Sequence, residues 1–259
     1  GEGAEQWEEG QRVGVGWHGG HCFDCKPCRE GDFIQCQNAK ITGIAFDGGY
    51  AEYTVVPAEA VARVPGPLDS AEAAPLLCAG ITVYNALRNT DAKAGDVVAI
   101  QGIGGLGHLA IQCADRMGFH TVALSRGTDK KELALELGAD AYVDTENEDA
   151  VDRLQALGGA RVLLATAPNS KAMSSVIDGL GRDGKLLVVA ASGEPIEVSP
   201  MQLIGARRTI AGWPSGDAAD SEDTMEFCAL TDIAPMIETF SLDEVDEAYG
   251  KMMASDVRF

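Results

Sequence analysis

Residues 95–125 read GDVVAIQGIGGLGHLAIQCADRMGFHTVALS, and this order predicts a strand, a tight turn, a helix and a second strand. Residues 97–100 form an apolar run without alternation, which is typical of a parallel strand buried on both faces. Apolar residues then recur at helical spacing until Gly118, and residues 122–124 are again apolar. The stretch therefore predicts one strand–helix–strand unit of a parallel sheet.

The predicted turn carries a glycine motif, Gly102-x-Gly104-Gly105-x-Gly107, with Leu106 before the last glycine. In a dinucleotide-binding turn the first glycine permits the sharp bend, the second lets a pyrophosphate approach the backbone, and the third packs helix against strand. The helix that follows adds amide donors and partial positive charge. A glycine-rich turn without a ligand is the alternative, but the strands on both sides of the motif favour a nucleotide. We expect all five residues to contact the cofactor.

The alternation of helix and strand patterns continues beyond residue 125. The stretches KKELALELGADAYVD, DAVDRLQALGGARVLLATA and KAMSSVIDGLGRDGKLLVVAAS each combine a helical pattern with an apolar strand. Strands that alternate with helices imply right-handed crossovers, so we predict an α/β fold with a doubly wound parallel sheet. Residues 200–213, PMQLIGARRTIAGW, are predicted as an edge strand of this sheet. An unpaired apolar edge tends to pair with its symmetry mate, so we expect a homodimer or homotetramer.

A second motif lies upstream, where residues 21–36 read HCFDCKPCREGDFIQC. Its spacing is Cys22-x2-Cys25-x2-Cys28-x7-Cys36, in a polar, glycine-rich loop. Four crowded thiolates need a cation, and closely spaced Cys-x2-Cys pairs are a common source of zinc ligands. The alternative is a pair of disulfides, which a two-residue gap would strain. A closed shell of four sulfurs leaves no position for a substrate, so the predicted zinc is structural.

Composition and charge argue against some classes of function for this protein. The 259 residues are 46% apolar and carry a formal net charge of −20, from 40 acidic and 20 basic residues. This charge argues against a nucleic acid partner, because phosphate contacts need a basic face, and adaptation to salt is another interpretation of the acidity. No apolar run reaches the length of a membrane span and the first residues lack signal-peptide features, so we expect no membrane association. The remaining cysteines are scattered singly, which is typical of cytoplasmic proteins.

The cofactor is predicted from residues 121–130, TVALSRGTDK. Domains that prefer NAD(H) place a carboxylate at the end of the second strand, where it accepts hydrogen bonds from the adenosine ribose. That position falls to Ser125, and Arg126 follows it. Serine donates to a 2′-phosphate and arginine pairs with it, so NADP(H) is predicted to be favoured over NAD(H), unless Arg126 is only a solvated surface residue. The competing carboxylate, Asp129, lies past the turn and is predicted to cap the next helix.

Together with further stretches, these motifs resemble the zinc-containing alcohol dehydrogenases of the medium-chain dehydrogenase/reductase superfamily. The stretches are GQRVGVGWHGGHCFDCKPCREGDFIQC, DGGYAEYTVVPA, AAPLLCAGITVYNAL, GIGGLGHLAIQ and LELGAD, and they are spread over nearly the whole chain. The resemblance implies an NAD(P)-dependent oxidoreductase that transfers a hydride between an alcohol or aldehyde and nicotinamide, while zinc polarises the alcohol oxygen. It also implies that the four clustered cysteines bind structural zinc in a protruding lobe.

The resemblance further assigns domains and single residues. It implies a partial, β-rich GroES-like catalytic domain with the zinc lobe at residues 1–80, a Rossmann domain at 81–213 and a return to the catalytic domain at 214–259. It also implies that Cys78 is a ligand of a second, catalytic zinc and that Thr82 lies beside the nicotinamide. Without the resemblance, Cys78 in the stretch APLLCAGITVY is interpreted as a buried small apolar residue.

The sequence departs at both ends from the family that it resembles. Relatives supply a further cysteine and a Gly-His-Glu stretch upstream of the region that residue 1 matches, so we expect a chain truncated at both ends that turns over alcohols poorly by itself. Arg258 lies near the place of a pyrophosphate-contacting arginine but out of register, so that role is not transferred. A non-catalytic zinc and dinucleotide binder is the alternative function, and a zinc-independent reductase is a third. None of the histidines is expected to complete a catalytic zinc site: His18, His21, His108 and His120.

Overall fold

The computed structural model describes residues 3–254, 256, 257 and 259. Contacts between residues divide the chain into two compact units. The first unit comprises Gly1–Ile81 and Ser215–Phe259, and the second comprises Thr82–Pro214. Arg258 lies outside the described residues. Within the described part of the chain, no helix combines the length and apolar character that crossing a membrane requires.

The described residues form eight strands and ten α-helices. The strands are β1 (Val13–Val15), β2 (Val61–Arg63), β3 (Val97–Gln101), β4 (His120–Ser125), β5 (Ala141–Asp144), β6 (Ala160–Ala165), β7 (Leu180–Val188) and β8 (Thr209–Gly212). The α-helices are α1 (Lys26–Arg29), α2 (Ser70–Pro75), α3 (Ile81–Arg88), α4 (Gly105–Arg116), α5 (Lys131–Glu136), α6 (Ala150–Ala156), α7 (Ser170–Ser175), α8 (Pro200–Ile204), α9 (Ala218–Thr231) and α10 (Val245–Met253). Short 3-10 helices occur at Phe33–Gln35, Ala58–Ala60, Ile177–Gly179 and Leu242–Glu244, and a π-helical turn at Leu76–Gly80.

The second unit is built on a parallel sheet. In the described residues this sheet has six strands in the order β5-β4-β3-β6-β7-β8, and every neighbouring pair is parallel. The predicted α/β fold with a doubly wound parallel sheet is therefore confirmed. The chain moves outward from β3 in one direction and from β6 in the other, so the switch point lies between these two strands. Sheets of this kind bind ligands outside the carboxyl ends of the strands at that point.

Apolar burial holds this sheet together. The central residues of β3, Val98 to Ile100, have no exposed surface. Leu154 of α6, Met173 of α7 and Ile177 belong to the buried cluster that includes residues of β3, β4 and β6. Each such side chain contributes roughly 1.5–3 kcal/mol on full burial. The strands whose ends carry the candidate site are thus anchored in an apolar core.

The segment 200–213 differs from its predicted conformation. Pro200–Ile204 form a helix, and only Thr209–Gly212 form a strand, which pairs with β7 at one edge of the sheet. The helix forms because Ser199 and Gln202 make a capping box, in which each side chain accepts a hydrogen bond from the other residue's backbone N–H. The prediction of an edge strand is right for the second half of the segment and wrong for the first.

The first unit contains little regular sheet among its described residues. Strands β1 and β2 pair antiparallel, and an isolated bridge joins His18 to Ile41. Helix α9 packs against the π-helical turn, where a β-carbon added at Gly80 would lie 3.5 Å from the Thr224 methyl group. The same β-carbon would lie 2.9 Å from a Leu76 methyl group, so a larger residue at position 80 would require the Leu76 side chain to shift.

Candidate functional site

The glycine turn follows β3 at the switch point of the sheet. Gly102 has a φ of +95°, a left-handed conformation that favours glycine. A β-carbon at Gly107 would lie 2.0 Å from the carbonyl oxygen of Gly102, so no other residue fits there. A β-carbon at Gly104 or Gly105 would meet nothing within 4 Å. The outer glycines are thus required by the bend, and the inner ones leave the backbone open to an approaching ligand.

The N-terminus of α4 belongs to the same turn. Gly104 is its N-cap residue, and no side chain caps the helix. Because the first amide groups of a helix have no partner inside it, this end suits an anion such as a pyrophosphate. The Thr166 hydroxyl, which the sequence analysis did not identify, lies 2.9 Å from the Gln101 carbonyl and 3.1 Å from that of Gly102. It bonds these carbonyls from the end of the neighbouring strand β6 and so fixes the start of the turn.

Ser125 and Arg126 follow the end of β4, which lies beside this turn. The N–H of Gly102 donates to the carbonyl of Leu124 at 2.9 Å, so the end of β4 is bonded directly to the turn. Ser125 is the last residue of β4, and Arg126 is exposed. The capping role predicted for Asp129 is wrong, because Lys130 is the N-cap of α5 and no side chain caps that helix.

Lys130 is a further residue of this site that the sequence analysis did not identify. Its Nζ donates to the carbonyl of Ile103, inside the glycine turn, at 2.6 Å. A lysine here brings positive charge to the place where a pyrophosphate would bind. A lysine in the loop after the second strand of a strand–helix–strand unit was the available signal. The contact spans 27 positions, so it depends on the pairing of β3 with β4.

The four clustered cysteines come together in the first unit. Their sulfurs all lie within 4.8 Å of one another. The Cys25 sulfur is 3.4 Å from that of Cys28 and 3.8 Å from that of Cys36, and the Cys36 sulfur is 3.6 Å from that of Cys22. A tetrahedral zinc shell with bonds of about 2.3 Å has sulfur–sulfur edges of about 3.8 Å. All seven cysteines are free, so the donor set and its dimensions fit zinc and not disulfides.

The four cysteines differ in the hydrogen bonds that their sulfurs accept and in their thiol pKa values. Backbone N–H groups of Cys25 and Asn38 donate to the sulfurs of Cys22 and Cys36 at 3.4 and 3.3 Å. The side-chain amide of Asn38 also contacts the Cys22 sulfur, and it lowers the pKa of Cys22 to about 6. Burial raises the pKa of Cys28 to about 12. Cys22 therefore ionises more readily than Cys28, and a nearby cation would favour the thiolate form of both.

Cys78 has a different environment. It lies in the π-helical turn that follows α2, and its side chain is exposed. Pro75, the last residue of α2, has no backbone N–H to donate, which favours a break in the helical bonding at this point. Surrounding protein nevertheless desolvates the thiol and raises the pKa of Cys78. Turns of this type occur often at functional sites.

The described residues do not surround Cys78 with further ligands. Among them, the four-cysteine cluster is the group of three or more possible metal ligands that lie close enough together, and it does not include Cys78. Thr82 is the second residue of α3, directly after the turn, and is partly buried. One sulfur does not hold a zinc ion, so the described residues do not complete the second zinc site that the resemblance implies.

The histidines take other positions. His18 is buried, and its Nε2 lies 3.0 Å from Nδ1 of His21. Burial lowers the pKa of His18. His108 is also buried, in α4, with Nδ1 3.0 Å from the Gly104 carbonyl, and His120 begins β4.

The chain combines a doubly wound sheet, a glycine turn at its switch point and a four-cysteine cluster with the dimensions of a zinc shell. These features indicate a protein that binds zinc and a dinucleotide. Models of two families match the chain, zinc-binding dehydrogenase at residues 105–230 and alcohol dehydrogenase GroES-like domain at residues 1–66. The chain belongs to the zinc-containing alcohol dehydrogenases of the medium-chain dehydrogenase/reductase superfamily, which are NAD(P)-dependent oxidoreductases.

Named relatives support this assignment. Alcohol dehydrogenase patD of Penicillium expansum is 48% identical over 259 residues, which cover 100% of this chain and 76% of that protein. NADP-dependent alcohol dehydrogenase C 1 of Mycolicibacterium smegmatis is 36% identical, with 98% of this chain and 75% of the relative covered. The solved structure of CAD from Helicobacter pylori, complexed with NADP(H), gives a TM-score of 0.87 at 26% identity, with 100% of this chain and 76% of that chain covered.

Proposed function

We propose that this alcohol dehydrogenase favours NADP(H) over NAD(H) and acts on a small alcohol or aldehyde. The observation that carries the cofactor choice is the end of β4, where Ser125 and Arg126 stand instead of a carboxylate. The name of the Mycolicibacterium smegmatis relative and the NADP(H) complex of the Helicobacter pylori structure support this choice. A carboxylate at this position would repel a 2′-phosphate, whereas an arginine pairs with it.

The residues at the carboxyl ends of β3 and β4 have separate roles in this proposal. The glycine turn, Leu106 and the N-terminus of α4 hold the pyrophosphate, and Lys130 adds positive charge there. Arg126 pairs with the 2′-phosphate, and Ser125 donates a hydrogen bond to it. A charge-assisted hydrogen bond contributes about 1.5–3 kcal/mol, so NADPH is expected to bind roughly ten- to a hundredfold more tightly than NADH.

The four-cysteine cluster is proposed to hold the structural zinc. Its ligands are Cys22, Cys25, Cys28 and Cys36. The cluster belongs to the proposed GroES-like catalytic domain, residues 1–80 and 214–259, and the proposed Rossmann domain covers residues 81–213. The sulfur–sulfur distances of 3.4–3.8 Å support a closed tetrahedral shell, which leaves no position for substrate.

Cys78 and Thr82 are proposed to be residues of the catalytic site, as a zinc ligand and as a neighbour of the nicotinamide. The described residues bring no further group of metal ligands around Cys78. The same observation favours a second candidate function, a protein that binds zinc and dinucleotide without turnover. In either case the residues at the carboxyl ends of the strands bind and orient the cofactor.

The proposal also covers the oligomeric state and the cellular location. Strand β8 pairs with β7 on one side and, among the described residues, has no strand on its other side, which supports a homodimer or homotetramer formed through this edge. Light scattering at micromolar concentration tests this, since a monomer would contradict it. We also propose a cytoplasmic location, since Cys78, Cys113 and Cys228 stand singly along the chain, as reduced thiols usually do.

Fluorescence titration of the purified protein with NADPH and NADH tests the cofactor choice. We expect tighter binding of NADPH in the wild-type protein and a roughly ten- to a hundredfold loss of NADPH affinity in Arg126→Ala. Arg182→Ala removes the same charge from an arginine whose side chain is 81% exposed and serves as the control. Tighter binding of NADH, or an unchanged NADPH affinity in Arg126→Ala, would contradict the assignment to Arg126.

Steady-state assays with ethanol, benzyl alcohol and cinnamyl alcohol separate the two candidate functions. Turnover that Cys78→Ala lowers by about a hundredfold or more, while NADPH still binds, supports the dehydrogenase with Cys78 as a ligand. The control is Cys113→Ala, which removes a buried thiol of α4 and leaves Cys78 unchanged. A zinc-loaded protein that binds NADPH but oxidises none of these alcohols favours the second candidate.

A further inference from the structure

Gly127, the residue after Arg126, is held on both sides by the edge strand β5. Its N–H donates to Oδ1 of Asp144 at 2.8 Å, and its carbonyl accepts from the Tyr142 hydroxyl at 2.6 Å. Gly127 has a φ of +64°, a left-handed conformation that other residues rarely adopt. Both peptide groups that flank Gly127 are therefore fixed in orientation, and one of them is the peptide that joins it to Arg126.

The Asp144 carboxylate is committed to this loop. Asp144 is 5% exposed, and its Oδ1 also accepts the N–H of Glu146 at 3.0 Å while its Oδ2 accepts the side-chain amide of Asn147 at 2.7 Å. These bonds, that of Asn147 first, lower the pKa of Asp144. A buried charge is costly unless its hydrogen bonds are satisfied. Here the donors belong to the loops after β4 and β5, so the hydrogen bonds of Asp144 order those loops.

Ser125 is tied to the same strand. It is paired with Asp144 in the parallel ladder, and its carbonyl accepts the N–H of Thr145 at 2.9 Å. Burial raises the pKa of the Tyr142 hydroxyl, and a hydrogen bond with the Ser125 side chain opposes this shift. The turn Ser125–Gly127 is thus fixed at both ends by residues of β5 and the loop after it.

We propose that Asp144 and Tyr142 are positioning residues for cofactor selection. They hold the turn Ser125–Gly127 in the conformation that presents Ser125 and Arg126 to a 2′-phosphate, and they act through the backbone of Gly127. The inference rests on the proposed NADP(H) preference. Since the pyrophosphate binds at the glycine turn, loss of either positioning residue weakens the 2′-phosphate contacts more than the rest of the dinucleotide contacts.

The ratio of the dissociation constants for NADPH and NADH tests this role. A residue that only stabilises the fold weakens both cofactors alike, because they differ only in the 2′-phosphate. We expect Asp144→Ala to weaken NADPH roughly tenfold and NADH much less, and Tyr142→Phe to act in the same direction with a smaller effect. The control is Asp140→Ala, because the Asp140 carboxylate accepts the N–H of Thr121 at 2.8 Å near the opposite end of β4. It is expected to leave the ratio unchanged.

The conservative variant Asp144→Asn separates positioning from charge. Asparagine keeps an oxygen that accepts the N–H of Gly127 but removes the negative charge, so we expect a ratio close to that of the wild-type protein. If the carboxylate acted by repelling the 2′-phosphate, Asp144→Asn would instead tighten NADPH binding. That result would overturn the positioning role.

The outcomes distinguish the inference from the proposed function. A wild-type preference for NADPH that neither Asp144→Ala nor Tyr142→Phe changes overturns the inference alone. A wild-type preference for NADH overturns the cofactor choice, while a shifted ratio in the variants still supports the positioning role. A protein that binds neither cofactor overturns both. If thermal unfolding shows that Asp144→Ala does not fold, Tyr142→Phe decides: a folded variant with an unchanged ratio overturns the inference.

Discussion

The cysteine cluster and the cofactor edge of the sheet are built in opposite ways. The cluster takes all four sulfurs from one stretch, residues 22–36, whose regular structure is a four-residue helix and a three-residue 3-10 helix. The cofactor edge takes its residues from the ends of β3, β4, β5 and β6, which are anchored in the apolar core. The first arrangement is local and is proposed to depend on a metal, whereas the second depends on the packing of a whole sheet.

This difference predicts that the two regions fail separately. A structural zinc is coupled to local folding, because its thiolates repel one another without the cation. The strand ends keep their positions without a ligand, since buried side chains in the core hold them. Loss of zinc is therefore expected to leave dinucleotide binding intact, and damage to the glycine turn is expected to leave the zinc bound.

The largest expected effect is that of Cys28→Ser. This change removes a buried ligand and is expected to lower the zinc content from about one equivalent per chain to almost none, with NADPH affinity unchanged. Elemental analysis after gel filtration measures the zinc, and fluorescence titration measures the affinity. The control is Cys228→Ser, which alters a buried thiol of α9 outside the cluster and should keep the zinc.

Two outcomes would contradict these expectations. If NADPH affinity falls together with the zinc content in Cys28→Ser, the lobe is not self-contained. Two tightly bound equivalents in the wild-type protein would show that a second ligand group is complete, contrary to the expectation of about one equivalent.

Gly107→Ala is the reciprocal change at the cofactor edge. The added methyl group would lie 2.0 Å from the Gly102 carbonyl, so the turn must shift, at a cost of about 1–3 kcal/mol. We expect at least roughly tenfold weaker NADPH binding and an unchanged zinc content. Gly105→Ala places its methyl group in open space and should leave the thermal unfolding midpoint unchanged. Equal destabilisation by both variants would contradict the geometry of the turn.

The smallest expected effect is a pH dependence at the same edge. Burial lowers the pKa of His108 below its usual value near 6.5, so on acidification the unfolded state takes up a proton first. The contribution of neutral His108 to stability is therefore present above about pH 6.5 and is lost as the pH falls through the lowered pKa. In His108→Gln this part of the pH dependence of thermal unfolding should disappear. An unchanged pH profile would contradict a neutral, buried His108.

The local part of both regions was predictable from the sequence. The apolar run at residues 97–100 is observed as strand β3 (Val97–Gln101), and the glycine spacing predicted the turn at the correct place. The spacing of the four cysteines likewise predicted their convergence. These predictions succeed because helical and strand periodicity, tight turns and short ligand spacings are determined by neighbours in the chain.

Other features were decided by the tertiary structure. Lys130 meets the glycine turn, Thr166 bonds the end of β3, and Asp144 and Tyr142 hold Gly127, over separations of 15 to 65 positions. None of these contacts has a local pattern, because each depends on which strands are neighbours and in which register they pair. Strand order and register follow from the packing of the whole core, and a residue at a strand end acquires its partner only when that core is complete.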